Sequence, residues 1–169
     1  MYSSRAIREP ILTTIDTVAV FLSFRIAGMK REYPETPLIG VGAVIVDQGR
    51  VVVIKRGAPP LLGEWSIPGG LLELGETVRQ GVEREALEET GLVVESGEFL
   101  GVFDRIVPDD AGKIRFHYVL LDYLCRPVSR SLQAGYDAAE AKWMTLEELR
   151  DFPMMETTKK LLVRVLSAQ

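Results

Sequence analysis

The chain has 169 residues, 47% of them hydrophobic and 26% charged, which is enough to bury an ordinary core in one compact domain. Its formal net charge of −4 argues against general binding to nucleic acid or to an anionic membrane, so we expect neither as a partner. A single cysteine, Cys125, excludes a disulfide within these residues and is typical of a reducing compartment, so we expect a cytoplasmic location.

Residues 1–34 are predicted to be an N-terminal helical extension of a domain that spans residues 35–169. Hydrophobic residues recur at helical spacing after Pro10: Ile11, Ile15, Val18, Leu22 and Ile26. Asp16 and Arg25 interrupt this run, which is therefore too polar for a bilayer-spanning helix. Two interpretations stay open. The segment is a helix that packs on the domain or on a second subunit, or the natural start is Met29.

The remaining elements follow in chain order. Two β-rich runs, 38–47 and 50–55, are separated by a short turn, and a loop rich in proline and glycine covers residues 57–64. A helix is predicted over 77–90. Beyond it, the patterns predict strands at 92–106 and 114–124 around a turn at 109–112, a loop at 132–138, a short strand at 141–144, and helices at 146–151 and 157–166. Strands flanked by a few helices indicate an α/β sandwich.

The helix over 77–90 carries signals at both ends. Thr77 followed by Gln80 is typical of a capping box, and Gly91 suits the left-handed position just past a helix end. One continuous stripe runs along it at spacing i, i+4, i+7, i+11: Val78, Val82, Glu85 and Glu89. The stripe is hydrophobic in its first half, which predicts contact with a core, and acidic in its second half.

Three carboxylates, Glu85, Glu88 and Glu89, fall on one small patch of this helix because residues three and four apart are surface neighbours. Their charges repel one another and lie where the helix dipole also disfavours anions. A solvated charged face is the structural alternative, which the stripe and the flanking glycines disfavour. A hard divalent cation removes the penalty, because Mg²⁺ takes oxygen ligands from carboxylates and substrate phosphates.

The residues around this helix resemble the Nudix signature, which is G, five residues, E, seven residues, then R-E-U-x-E-E-x-G-U with U a bulky aliphatic residue. This chain has Gly70, Glu76 and then REALEETGL over residues 84–92. Ala86 is smaller than the usual residue at the first U, a departure that concerns packing. The preceding WSIPGG, residues 65–70, is also similar to many members. The resemblance covers about residues 35–155 and implies a mixed β-sheet between α-helices, with a loop–helix–loop catalytic box.

The resemblance also implies the chemistry. Glu85, Glu88 and Glu89, with the carbonyl of Gly69, would ligate Mg²⁺ or Mn²⁺, and the metal would promote hydrolysis of a diphosphate bond. Glu76 and Arg84 complete the catalytic set as an ion pair that orients the loop against the helix. The alternative for this last pair is a plain surface contact, worth under about 1 kcal/mol.

The general base is left open by the sequence. Glu85 or Glu89 could serve, and some family members use a later acid from a loop, for which Glu140 and Asp137 are the candidates. The only histidine, His117, stands in a predicted strand, where a structural or stacking role is favoured over proton transfer.

The expected substrate is a nucleoside diphosphate linked to another moiety, with ADP-ribose cleaved to AMP and ribose 5-phosphate as the first candidate. Pro108 stands sixteen residues beyond Leu92, a spacing that resembles ADP-ribose pyrophosphatases, although it also suits a hairpin turn. Arg56 is a candidate phosphate contact. The alternatives are an (8-oxo-)dNTP pyrophosphohydrolase and a nucleotide sensor without turnover. Many relatives pair as dimers, so a homodimer is compatible with the resemblance.

Overall fold

The computed structural model describes residues 30–59 and 61–168. The chain divides into two units, Met1–Glu32 and Tyr33–Gln169. The predicted helical stripe before residue 27 and the alternative start at Met29 lie outside the described residues. In the second unit the elements are β1 (Leu38–Asp47), β2 (Arg50–Arg56), β3 (Trp65–Ser66), β4 (Gly69–Leu71), α1 (Val78–Thr90), β5 (Val94–Pro108), β6 (Ile114–Pro127), β7 (Ala138–Thr145), α2 (Leu146–Arg150) and α3 (Glu156–Ser167).

Strand β1 lies at the centre of a mixed sheet. One edge of β1 pairs in parallel with β6, from Leu38 opposite Tyr118 to Ile45 opposite Cys125, and β6 pairs antiparallel with β5. The other edge pairs with β4 and then, near its end, with β2. The order is β3-β2-β1-β6-β5, with β4 beside β1 and β7 beside β2. The predicted mixed sheet is confirmed.

Helices cover both faces of this sheet, because successive strand residues point to opposite sides. Helix α1 packs over one face on a core formed by Val41, Ala43, Ile45, Val52, Val82, Ala86, Leu92, Val94 and Cys125. Helices α2 and α3 pack over the other face, whose core consists of Val44, Val46, Val51, Val53, Ile67, Met144, Leu149, Leu161, Leu162, Val165 and Leu166. The predicted sandwich is therefore confirmed. No helix within the described residues is long and apolar enough to cross a bilayer.

The predicted strands differ from the observed ones around the glycine-rich segment. Strands β3 and β4 were not predicted, because one has two residues and the other contains two glycines, which are depleted in strands. Gly69 is required there because a Cβ would overlap the backbone oxygen of Val41 across the ladder. Strand β7 begins at Ala138, three residues before the predicted start, because its pairing with β2 continues through a bulge at Arg56.

Candidate active site

Helix α1 begins and ends at the predicted signals. The Gln80 backbone N–H donates to the Thr77 hydroxyl over 3.3 Å, and the Thr77 N–H donates to the Gln80 side chain over 2.9 Å. Gly91 adopts a left-handed conformation with φ of 66°. Along the stripe between these caps, Glu85 is 7% exposed and Glu89 is 1% exposed. The acidic half of the stripe is therefore as buried as the hydrophobic half.

Glu89 lies under the glycine-rich strand β4. Its Oε2 accepts a hydrogen bond from the Gly69 N–H over 2.7 Å. Burial and a hydrogen bond with the carboxyl of Asp137 raise the pKa of Glu89 to about 9. Without a cation, Glu89 therefore keeps its proton at neutral pH, with the Asp137 carboxyl beside it.

Glu85 lies against Gly70, where a Cβ would overlap its carboxylate. Burial raises the pKa of Glu85, and the neighbouring Arg84 opposes that effect. Arg84 Nη1 lies 2.6 Å from Glu85 Oε1 and 3.2 Å from Glu88 Oε2. A single guanidinium thus draws two of the three helix acids together.

The same guanidinium binds the loop before α1. Arg84 Nε and Nη2 donate to the two carboxylate oxygens of Glu76 over 2.6 and 2.9 Å, and Nη2 also donates to the Leu71 carbonyl over 3.0 Å. Glu76 Oε2 accepts a further hydrogen bond from the Glu73 N–H. Burial lowers the pKa of Arg84, but the hydrogen bonds to Glu76 and Glu85 outweigh it and raise the pKa above its usual range. The bidentate ion pair between Arg84 and Glu76 therefore holds the loop to the helix.

The donor set has the chemistry of a magnesium site, since every side-chain ligand is a hard carboxylate oxygen. In the described ranges, however, no three His, Cys, Asp or Glu side chains converge as placed on one metal position. The reason lies in the contacts above: Glu85 and Glu88 are turned toward Arg84, and Glu89 toward the Gly69 N–H. A cation bound here would require these side chains to turn away from Arg84 and the Gly69 N–H.

The segment before β7 brings a fourth acid to the helix. Gln133 and Gly135 donate from their backbone N–H groups to the carbonyls of Thr90 and Glu89, and the Gly57 N–H donates to the Asp137 carbonyl. These bonds hold Asp137 beside Glu89, with its Oδ2 3.7 Å from Arg56 Nη2. Of the two loop acids considered from the sequence, Asp137 is the one in the cluster.

Glu140 lies elsewhere. It is exposed on β7 and accepts a hydrogen bond from Lys55 Nζ over 2.8 Å, which lowers its pKa. Pro108 is exposed at the last position of β5, where the register with β6 shifts. The turn that follows is closed by a hydrogen bond from the Asp109 N–H to the Lys113 carbonyl. Pro108 therefore lies beside the hairpin turn, which is compatible with the alternative role, and its role at a substrate stays a prediction.

Arg56 lies beside the cluster, and Arg105 lies near Arg56. Arg56 has a side chain 16% exposed, and its Nε is buried without a hydrogen-bond partner among the described residues. Arg105 on β5 was not predicted; burial lowers its pKa, and the charge of Arg56 lowers it further. Both cations are thus close enough to repel each other. The signal for Arg105 in the sequence was a charged residue inside a strand, which alone does not point to a site.

Comparisons with known proteins identify similar sequences. The sequence matches the NUDIX domain over residues 36–165. It is 34% identical over 113 residues to an ADP-ribose pyrophosphatase of Methanocaldococcus jannaschii, covering 67% of this chain, and 33% identical over 110 residues to a MutT-like protein of Streptomyces ambofaciens, covering 65%. The chain spans 64% of the length of each of these relatives.

A solved structure is also similar. The MutT NUDIX hydrolase of Burkholderia pseudomallei superposes with a TM-score of 0.66 at 32% identity, covering 78% of this chain and 99% of that one. Sequence motif, sheet topology and the family match thus agree, and the chain belongs to the Nudix domain family.

Proposed function

We propose that residues 35–169 form a pyrophosphatase that uses Mg²⁺ or Mn²⁺ to hydrolyse the diphosphate bond of a nucleoside diphosphate linked to another moiety. The observation that carries this proposal is the buried acid cluster on α1, where Glu85 and Glu89 lie under two glycines of β4. Folding alone gives no reason to bury adjacent carboxylates, whereas a cation shared with phosphates does. The name of the Methanocaldococcus relative supports the same reaction class.

In the proposed mechanism Glu85, Glu88, Glu89 and the Gly69 carbonyl would hold the metal. The chemistry that it would supply there is activation of a water and withdrawal of charge from the phosphate oxygens. The bidentate ion pair between Arg84 and Glu76 fixes the loop relative to the helix. The acids of α1 and the backbone of β4 therefore present their oxygens from fixed positions. Arg56, whose Nε has no partner among the described residues, would donate to a phosphate oxygen.

We assign proton acceptance from the attacking water to Asp137 rather than to Glu140. Asp137 lies within hydrogen-bond reach of Glu89, so its carboxylate would accept a proton inside the cluster. Glu140 is exposed and bound to Lys55, and its lowered pKa makes it a weak base. Exchange to Asn at position 137 should therefore lower kcat far more than exchange of Glu140 to Gln.

For the substrate we propose ADP-ribose, cleaved to AMP and ribose 5-phosphate. The supports are the name of the relative that shares 34% identity and the spacing of Pro108 from the box. The alternative substrates are nucleoside triphosphates, including 8-oxo-dGTP. Their hydrolysis would give a nucleoside monophosphate and pyrophosphate instead.

The test is hydrolysis with and without Mg²⁺ across ADP-ribose, NADH, diadenosine polyphosphates, dNTPs and 8-oxo-dGTP, with products separated by chromatography. AMP plus ribose 5-phosphate supports the proposal, and a nucleoside monophosphate plus pyrophosphate would move the enzyme to the alternative branch. Glu88→Gln and Glu89→Gln should each lose turnover by about 100-fold or more, while Glu98→Gln, an exposed change on β5, should retain it. Wild-type rates in both cluster variants would refute the metal assignment.

A further inference from the structure

One buried acid lies outside the cluster described above. Asp122 on β6 is 7% exposed, and within the described residues its carboxyl makes no hydrogen bond and no ion pair. The carboxyl lies over Gly42 of β1, where a Cβ would overlap its Oδ1, and beside the side chain of Ile67. Two of its neighbours are thus a glycine backbone and an aliphatic side chain.

The fold does not need an acid at this position. Leu124, two residues further on the same face of β6, packs against the hydrophobic core with Val44 opposite it. A hydrophobic residue at position 122 would continue that surface. The Asp122 carboxyl keeps only slight exposure, and a polar group that loses most of its hydration without gaining a hydrogen bond is costly. A group that supplies the missing hydrogen bond from outside the chain would offset the cost.

Asp122 lies two strands from the proposed reaction centre, and its side chain is on the face of the sheet opposite to α1, the face on which Val44 and Leu124 pack. Gly42 pairs with Gly69 of β4 on one side and with Asp122 on the other. Since neighbouring strands are about 4.8 Å apart, the backbones of Gly69 and Asp122 are separated by about 10 Å. A nucleotide whose diphosphate lies at Glu89 and Gly69 carries its sugar and base over a distance of that order.

The same face of the β5–β6 ribbon continues with side chains suited to a nucleoside. Phe103 pairs with Leu120, and Arg105 pairs with Tyr118, in the register that places Asp122 opposite Gly101. Alternate residues share a face, so Asp122, Phe103 and Arg105 point to one side. Phe103 is partly buried against the core on this face. The exposed part of its ring, the Arg105 cation and the Asp122 carboxyl lie along one strip that can contact a base and accept its hydrogen bonds.

We propose that Asp122 determines specificity for the nucleoside part of the substrate, accepting a hydrogen bond from a donor of that part. Two donors share this chemistry: the hydroxyls of the ribose and an N–H edge of the base. The inference rests on the proposed function for the nature of the ligand, because the proposed substrate is a nucleotide.

The test measures binding of nucleoside monophosphates by calorimetry in EDTA, so that its result does not depend on turnover. The probes are AMP, 2′-deoxy-AMP, GMP and IMP, and the proteins are the wild type, Asp122→Asn, Asp122→Ala and Asp104→Asn. Asp104 is exposed on the opposite face of the same ribbon, where it pairs with Val119, and is the matched control. Circular dichroism establishes that each variant is folded.

Both Asp122 variants should bind AMP about 10- to 100-fold more weakly than the wild type, the range expected for a hydrogen bond to a charged acceptor. A ribose contact predicts that the preference for AMP over 2′-deoxy-AMP disappears in the variants. A base contact predicts instead that the preferences among AMP, GMP and IMP collapse. Asp104→Asn should match the wild type throughout.

The inference would be overturned by Asp122 variants that keep the wild-type affinity and preferences, or by a wild-type protein that binds none of the four probes. Failure of hydrolysis with intact, Asp122-dependent binding would refute the proposed reaction and leave the specificity role standing. If turnover is observed, kcat/KM for the best substrate should fall in Asp122→Asn mainly through KM. A fall confined to kcat would count against a binding role.

Discussion

Replacing Asp122 by Asn should stabilise the fold at alkaline pH. Burial raises the pKa of Asp122 from its ordinary 3.8 to about 6. The folded state therefore holds this proton more tightly than the unfolded state, and stability falls as the pH rises from about 4 through about 6. At about 1.4 kcal/mol per pKa unit, ionisation of Asp122 costs the folded state about 3 kcal/mol at pH 8 and less than about 1 kcal/mol at pH 4.

Urea unfolding at pH 4 and pH 8 measures this difference. Asp122→Asn should raise the free energy of unfolding by about 3 kcal/mol at pH 8, and the two proteins should be nearly equal at pH 4, because both side chains are then uncharged. Asp104→Asn, whose parent side chain is exposed, should give the wild-type value at both pH values. An equal gain at the two pH values, or a loss at pH 8, would refute the reasoning that an unpaired charge is buried at this position.

Three further experiments test the loop–helix–loop box around α1. Adding Mg²⁺ at 100 times its Kd should stabilise the fold by about 2.7 kcal/mol and raise Tm by an amount on the order of 8 °C over the value in EDTA; equal melting temperatures would contradict a site on Glu85 and Glu89. Gly70→Ala places a Cβ into the Glu85 carboxylate and should lower turnover by about 100-fold; wild-type rates would contradict this close approach. Thr77→Ala removes the cap of α1 and should lower the free energy of unfolding by about 1 kcal/mol in urea, an effect that an unchanged midpoint would disprove.

Local signals made helix α1 predictable from the sequence. The capping pair Thr77 and Gln80 and the left-handed Gly91 act within a few residues of one another, so their positions alone set the ends of α1. The hydrophobic runs of β1 and β2 were equally clear, and both strands begin where the sequence predicts. These elements carry the helix acids and one edge of the glycine-rich strand.

Long-range contacts were not predictable in the same way. Asp137 joins Glu89 across 48 positions of sequence only because backbone hydrogen bonds fix the segment before β7 against the end of α1. Asp122 meets Gly42 only because β1 and β6 pair in parallel. No short pattern encodes either approach. The one sequence signal for Asp122 is an acid inside the otherwise hydrophobic run YVLLDYLC, residues 118–125.

The contacts of Arg84 have a consequence for the order in which the protein matures. This guanidinium already contacts Glu85, Glu88 and Glu76, so part of the charge of the acidic patch is offset by a built-in counter-ion. The chain can then fold before any metal arrives, in contrast to small zinc domains that stay unfolded until they are loaded. Metal uptake would be a late exchange of one cation for another, and its apparent affinity would include the cost of parting Arg84 from Glu85 and Glu88.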